Sequence, residues 1–260
     1  MSNQNTDLKK FVQIRGSDAL FEVIQKIGYQ FMTDFPSIGL PLSPGSSSQG
    51  YKAVIDGTTD IGMVSSEMPE DMRKWAAKQD VQYSHVLIAY DALAVITHPS
   101  NPIRNLSLMD LKEIFSGGVT KWKNFGWNAG GDIQVFSQDP SRGSYVAWKK
   151  FVMGPKEHIT LGAKLFIDNF AIARAVSNNP NAIAYLSTIP AQETKSNIIS
   201  VNNIYPSVEA ITKCQYPICR ELQLLKRANS SPDIQKFIDY CLSADKGQKI
   251  IKNMGVAPLE

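Results

Sequence analysis

Three short turns rich in glycine and hydroxyl residues, each followed by a run of helical spacing, carry the residues best suited to chemistry: Gly16-Ser17-Asp18, Gly45-Ser46-Ser47-Ser48-Gln49-Gly50 and Ser141-Arg142-Gly143-Ser144. Glycine permits a tight turn, and a serine or aspartate at a helix start accepts a hydrogen bond from the first turn. A helix start also leaves backbone N–H groups unpaired and carries partial positive charge, so it holds an anion without any lysine. One such turn says little, because nearly every helix needs a cap. Three turns brought together would enclose an oxyanion, whose burial requires donors for most of its lone pairs. Each hydrogen bond to a charged partner contributes about 1.5–3 kcal/mol, so several converging donors reach submicromolar binding. Periodicity alone does not say whether the turns converge.

Charged residues in the turns sharpen the choice of anion. Arg142 has two readings: a planar fork facing phosphate or sulfate oxygens, or a solvated loop arginine. Asp18 reads most simply as an N-cap. Facing a ligand, it would repel a fully ionised anion but accept a proton from a protonated one. Phosphate near neutral pH carries one or two protons and sulfate none, so a ligand-facing Asp18 favours phosphate. Asp139 could act in the same way from the third turn, although a turn aspartate beside Pro140 is the plainer reading.

The spacing of residues argues against an enzyme. The only histidines, His85, His98 and His158, lie outside the hydroxyl-rich turns. Neither a Gly-x-Ser-x-Gly elbow nor a phosphate loop ending Gly-Lys-Ser/Thr occurs. No catalytic residues, metal or cofactor are expected. Cys214 and Cys219 flank Gln-Tyr-Pro-Ile and read either as a disulfide or as two reduced thiols; no nearby partners complete a zinc site. Cys241 shares an apolar helical face with Ile234, Phe237 and Ile238, which makes it a core thiol.

The elements that must position these turns alternate between strand-like and helix-like runs, an α/β signature. Phe11-Val12-Gln13-Ile14 reads as a strand ending at the first turn, and Leu20, Phe21, Ile24, Ile27 and Phe31 recur at helical spacing. Tyr51–Ile55 is a short helix closed by Gly57, and Asp60–Val64 a buried strand followed by Ser65-Ser66. Val86–Ile96 is a long apolar run suited to pass from one lobe to another. Ser107 caps a helix that ends at Gly117-Gly118. Ile133–Phe136 leads to the third turn, after which Val146, Trp148, Phe151 and Val152 are expected on one apolar helical face. Ile183–Leu186 and Ile198–Val201 are further strands. Trp122, Phe125 and Trp127 pack under a loop, and the last helix opens at Ser231-Pro232.

At 260 residues, with 43% hydrophobic and 20% charged residues, the chain suits one large α/β domain or two lobes. The net charge of +3 comes from scattered rather than clustered lysines, so a nucleic-acid partner is not expected. No apolar run approaches the roughly 20 residues of a membrane span. The polar start, Met1–Lys10, lacks the apolar core of a signal peptide. Two readings follow: a cytosolic protein, or an exported one whose leader has been exchanged for a starting methionine.

In order and spacing, the segments resemble the periplasmic phosphate-binding proteins of ABC transporters, within the type II solute-binding superfamily. The resemblance runs from about Phe11 to Pro258. It is carried by Arg15-Gly16-Ser17, Gly45–Gly50, Asp60-Ile61-Gly62-Met63 with Ser65-Ser66, Asp91–Ile96, Leu111–Gly117, Thr120-Lys121-Trp122, Ser141–Ser144, Tyr216–Arg220 and Gly247-Gln248-Lys249-Ile250. It implies a two-lobed α/β fold of the type II periplasmic binding proteins, with ligand enclosed in a cleft between lobes joined by two hinge segments. Lobe 1 would span residues 9–90 plus 214–260, and lobe 2 residues 91–213.

The same resemblance implies an extracytoplasmic, monomeric protein that captures inorganic phosphate and delivers it to the membrane permease of an ABC transporter. Ligand contacts carried over by position, together with their neighbours in the turns, fall on Ser17, Asp18, Ala19, Ser46, Ser47, Ser65, Arg142, Gly143 and Ser144. Three positions depart from the family pattern: Asp18 stands where a threonine or serine is usual, Ser141–Ser144 where Gly-Ser-Gly-Thr is usual, and Gln138 where an arginine is often found. Arg142 is the residue placed to restore that charge. Alternatives are a receptor for sulfate, molybdate or tungstate, and a drifted signalling or interaction module of the same fold.

Overall fold

Apolar strands alternating with capped helices account for most of residues 10–259, which the computed structural model describes; the polar start, residues 1–9, lies outside them. The first part of the chain runs β1 (Lys10–Phe11), β2 (Ile14–Ser17), α1 (Asp18–Asp34), β3 (Ile38–Gly39), β4 (Leu42–Gly45), α2 (Ser47–Asp56), β5 (Ile61–Val64), α3 (Glu70–Lys78) and the long β6 (Tyr83–Thr97). There follow β7 (Asn105–Leu106), α4 (Leu108–Ser116), β8 (Gln134–Gln138), α5 (Gly143–Trp148), β9 (Lys164–Phe166), α6 (Asn169–Ser177), β10 (Ala182–Ser187), α7 (Thr188–Gln192), β11 (Asn197–Val201) and α8 (Val208–Thr212). The chain closes with β12 (Cys219–Arg227), α9 (Pro232–Leu242) and α10 (Gly247–Asn253).

Contacts divide the chain into two units: residues up to 89 with 221–254 and 259, and residues 90–220 with 255–258. β6 and β12 are the strands whose residues fall in both units.

In the first unit β4, β2 and β5 lie parallel, with β12 antiparallel on the far side of β5. The strand expected over Phe11–Ile14 is interrupted: β1 pairs with β3, and β2 begins at Ile14 and continues through Ser17. The first "turn" is therefore the end of a strand. Leu20, Val23, Ile24, Ile27 and Phe31 of α1 are buried, and Phe31 meets Phe237 and Tyr240 of α9 edge-on at 5.2 and 5.3 Å. Asp34, at the end of α1, accepts from Tyr240 Oη at 2.8 Å and Lys246 Nζ at 3.0 Å. Cys241 is sealed in this core, where burial pushes its thiol up.

In the second unit the later half of β6 lies between antiparallel β10 and β11, while β8 pairs parallel with β10 and β9. Its core centres on Trp148, stacked on Tyr185 at 4.1 Å and 4°, with Phe115 against both. The face expected after the third turn needs one correction. Trp148 and Val152 are buried, but Val146 is 48% exposed. At about 100° per residue, Val146 points nearly opposite to Trp148, so one stripe cannot hold both. The helix then widens into a π-helical stretch over Lys149–Met153.

Where β6 and β12 enter the second unit, Asp91 and Arg220 form a buried ion pair, with Arg220 Nη2 at 2.6 Å and Nε at 3.0 Å from Asp91 Oδ2. Thr188 Oγ1 donates to the other Asp91 oxygen at 3.1 Å, and Arg220 Nη2 also reaches Ser187 Oγ at 2.9 Å.

Candidate functional site

Parallel pairing sets the first group of candidate residues. Ile14 and Gly16 of β2 stand opposite Ile61 and Met63 of β5, and Ser17 stands opposite Gly45 of β4. Strands in this register end together, so Ser17, the Ser46-Ser47 turn and Ser65 gather at one carboxyl edge of the sheet. In open α/β sheets that edge is where ligands bind.

Close approach requires two glycines. Gly16 has φ of +140°, and a Cβ there would sit 2.2 Å from the Met63 carbonyl oxygen. At Gly50, in α2, a Cβ would meet that oxygen at 2.8 Å and Arg15 O at 3.2 Å. The helix start thus lies directly against the strand ends.

Three hydroxyls meet in the resulting space. Ser17 Oγ is 2.7 Å from Ser65 Oγ, and Ser47 Oγ is 3.5 Å from it. The Ser65 N–H donates to Ser47 Oγ at 3.0 Å, and the Ala19 N–H donates to Ser17 Oγ at 3.3 Å. Ser17, Ser47 and Ser65 are 0%, 3% and 4% exposed, a low-dielectric setting in which each donor is stronger than in water. Three hydroxyls carry three protons. The Ser17–Ser65 and Ser47–Ser65 contacts use two, so one remains for an acceptor.

Helix starts add backbone donors. Ser46 caps α2 through a capping box, its Oγ accepting from Gln49 N–H and its own N–H donating to Gln49 Oε1. The Ser46 oxygen is engaged, whereas the N–H groups of Ser47 and Ser48 have no acceptor within the helix. At α1 the cap is Ser17, which corrects the reading of Asp18 as N-cap. Asp18 is the first helical residue, half-buried, with its negative charge in the first turn. Ala19 contributes only its N–H, which is directed to Ser17.

The second unit builds the third turn. β8 ends at Gln138, and Asp139 closes an Asx turn: its Oδ1 accepts from Ser141 Oγ at 2.6 Å and Ser141 N–H at 2.9 Å. Those bonds, with the Arg142 charge adding to them, hold the Asp139 carboxyl below the usual carboxylate range. Asp139 is therefore the turn aspartate of the plainer reading. Arg142 is the N-cap of α5 and half-buried, with no side-chain capping bond. Gly143 is buried, and the first N–H groups of α5, on Gly143 and Ser144, have no acceptor inside the helix. Gln138 is buried, and its Nε2 donates to Asn169 Oδ1 at 2.8 Å.

Among the described residues no group of three or more His, Cys, Asp or Glu is placed to hold a metal ion, and no helix is long and apolar enough to cross a membrane. His85 bonds to Gln223 at 2.7 Å between Tyr51 and Tyr83, His98 bonds to Ser100, and His158 is exposed.

Residues 2–245 match the family described as the PBP superfamily domain. The chain belongs to the PBP superfamily. The phosphate-binding protein PstS of Bacillus subtilis is 24% identical to this PBP-superfamily chain over 251 residues, covering 95% of it and 80% of that protein. The phosphate-binding protein PstS of Borreliella burgdorferi is 26% identical over 262 residues, covering 97% and 91%. The crystal structure of a putative phosphate ABC transporter substrate-binding protein with bound phosphate, from Clostridium perfringens, aligns at a TM-score of 0.83 and 27% identity, covering 96% of this chain and all of that one. The α/β fold is that of the two-lobed type II binding proteins, as the sequence resemblance implied.

Within the PBP-superfamily chain, the buried polar network of Asp91, Ser187, Thr188 and Arg220 was not read as a network in the sequence. Its signal was present. Asp91 interrupts the apolar run Val86–Ile96, and a lone carboxylate in such a run requires a cationic partner.

Proposed function

We propose that the chain is an extracytoplasmic receptor that captures inorganic phosphate and delivers it to the membrane permease of an ABC transporter. The observation that carries the proposal is the buried cluster of Ser17, Ser47 and Ser65 hydroxyls at the carboxyl edge of three parallel strands, flanked by the starts of α1 and α2. It offers a tetrahedral anion several donors and no lysine. The phosphate-binding names of the relatives point to the same ligand.

The proposal assigns Ser17, Asp18, Ala19, Ser46, Ser47 and Ser65 of the first unit, and Arg142, Gly143 and Ser144 of the second, to the same anion. Hydroxyl and backbone N–H groups bind the oxygens, Arg142 supplies positive charge, and Asp18 accepts a proton still carried by phosphate. The two contact units are read as the two lobes, and the receptor as a monomer without catalytic activity.

Calorimetric titration of unfolded and refolded, ligand-free protein with phosphate, sulfate, molybdate and tungstate tests the reading. Phosphate is expected to bind tightest, with Arg142→Ala weakening it at least about tenfold, one charge-assisted contact. Binding of none of the four anions overturns the receptor assignment. Unchanged affinity in Arg142→Ala removes that residue from the site.

A further inference from the structure

The Sγ atoms of Cys214 and Cys219 stand 3.9 Å apart, and both residues are thiols. Cys214 is exposed and Cys219 half-buried, whereas Cys241 is sealed in the core of the other unit. Backbone geometry brings the pair together. α8 ends at Thr212, and the chain then reverses at Cys214, whose φ of +49° lies in the left-handed region. The Cys214 N–H donates to Ile211 O, and the N–H groups of Gln215 and Tyr216 both donate to Ala210 O. Beyond the turn, Tyr216 and Ile218 are buried. Tyr216 Oη donates to Leu93 O at 3.1 Å, and the Leu93 N–H donates to Ile218 O at 3.0 Å. Cys219 thus stands on firmly held backbone at the first residue of β12, and Cys214 folds back toward it.

We propose that Cys214 and Cys219 are a thiol–disulfide modification site, joined reversibly by oxidation through an incoming disulfide. Exposure selects Cys214 as the attacking residue. Its thiolate displaces one thiolate from the reagent and forms a mixed disulfide. Cys219 then loses its proton, attacks Cys214 Sγ and expels the second thiol. Two protein thiols and one reagent disulfide become one protein disulfide and two reagent thiols, with two electrons passing to the reagent. The bond needs a separation of about 2.05 Å, so the sulfurs must close by about 1.9 Å, within reach of side-chain rotation and a small loop shift. Such a bond persists in an oxidising compartment and is absent in a reducing one. It would tie the Cys214 turn to the start of β12, one residue before Arg220.

The test uses the full chain, reduced, freed of reductant and equilibrated with excess oxidised glutathione. Intact mass is recorded with and without alkylation. The wild type is expected to lose two hydrogens, carry no glutathione, and fall from two alkylated cysteines to none under native conditions, with peptide mapping placing the link at Cys214–Cys219. Cys219→Ser should instead retain one glutathionyl group on Cys214, and Cys214→Ser should react at least about tenfold more slowly. A wild type that keeps a stable glutathione adduct, or whose two thiols stay alkylatable, overturns the proposal. Anion titration of the reduced protein keeps this result separate from the receptor assignment.

Discussion

Ser17 Oγ lies 2.7 Å from Ser65 Oγ across 48 residues of sequence, with both side chains shut away from solvent. Parallel β2 and β5 end level with each other: β2 ends in Ser17, and Ser65 directly follows Val64, the last residue of β5. The contact ties a helix cap to the residue after a neighbouring strand, so the same bond serves the fold and presents donors.

Ser65→Ala removes one hydroxyl proposed to bind the anion and leaves Ser17 without its hydroxyl partner. Phosphate affinity is expected to fall about 10- to 100-fold by calorimetry, while unfolding stability falls by only about 1 kcal/mol. Unchanged affinity would show that the hydroxyl cluster is structural and does not bind the anion.

Asp18→Asn separates electrostatics from capping, because Ser17 rather than Asp18 caps α1. If Asp18 accepts a proton from phosphate, the variant should lose preference for phosphate over sulfate, measured as the ratio of the two dissociation constants. An unaltered ratio would leave Asp18 as an acidic residue complementing the helix dipole.

Gly16→Ala would drive a Cβ to 2.2 Å from Met63 O in a backbone conformation that side chains rarely adopt. The backbone of β2 and β5 must then separate, carrying Ser17 away from Ser65. Expected outcomes are a loss of about 2–4 kcal/mol in urea unfolding and weakened anion binding. A variant as stable as the wild type would contradict the register described.

Asp34 accepts from Tyr240 and Lys246, and these bonds, the tyrosine's first, hold its carboxyl below the ordinary value of 3.8. A depressed folded-state value means stability present above the unfolded value and lost as pH falls through the folded one. Asp34→Asn should therefore be less stable than wild type at pH 7, with the difference shrinking below about pH 4 as the wild-type carboxylate takes up its proton. Denaturant midpoints across pH check this; a constant difference would show that Asp34 acts without its charge.

Local signals made much of this fold legible. Ser107 and Ser231-Pro232 each announce a helix start that the structure places at the same residue, whereas α2 begins at Ser47, four residues before the Tyr51 expected from apolar spacing, because Ser46 and Gln49 form a capping box. Gly57 and Gly117 end helices in the left-handed conformation expected of them. Less legible were features set by register. Gly16-Ser17 looked like a turn because glycine and serine favour turns, yet pairing with both β4 and β5 extends β2 through them. Val146 looked apolar enough for the core, but its angle on α5 turns it outward.

The sequence by itself determined which residues end strands, cap helices and offer hydroxyls or charge, because caps, turns and apolar periodicity act over a few neighbouring positions. It also determined the superfamily through the order of those segments. Only the tertiary structure decided that Ser17, Ser47 and Ser65 share one buried space, that Asp91 and Arg220 neutralise each other, and that Cys214 faces Cys219. Each relation depends on strand register or on a chain reversal held by packing. Those forces act between elements distant in sequence, where local residue preference carries no information.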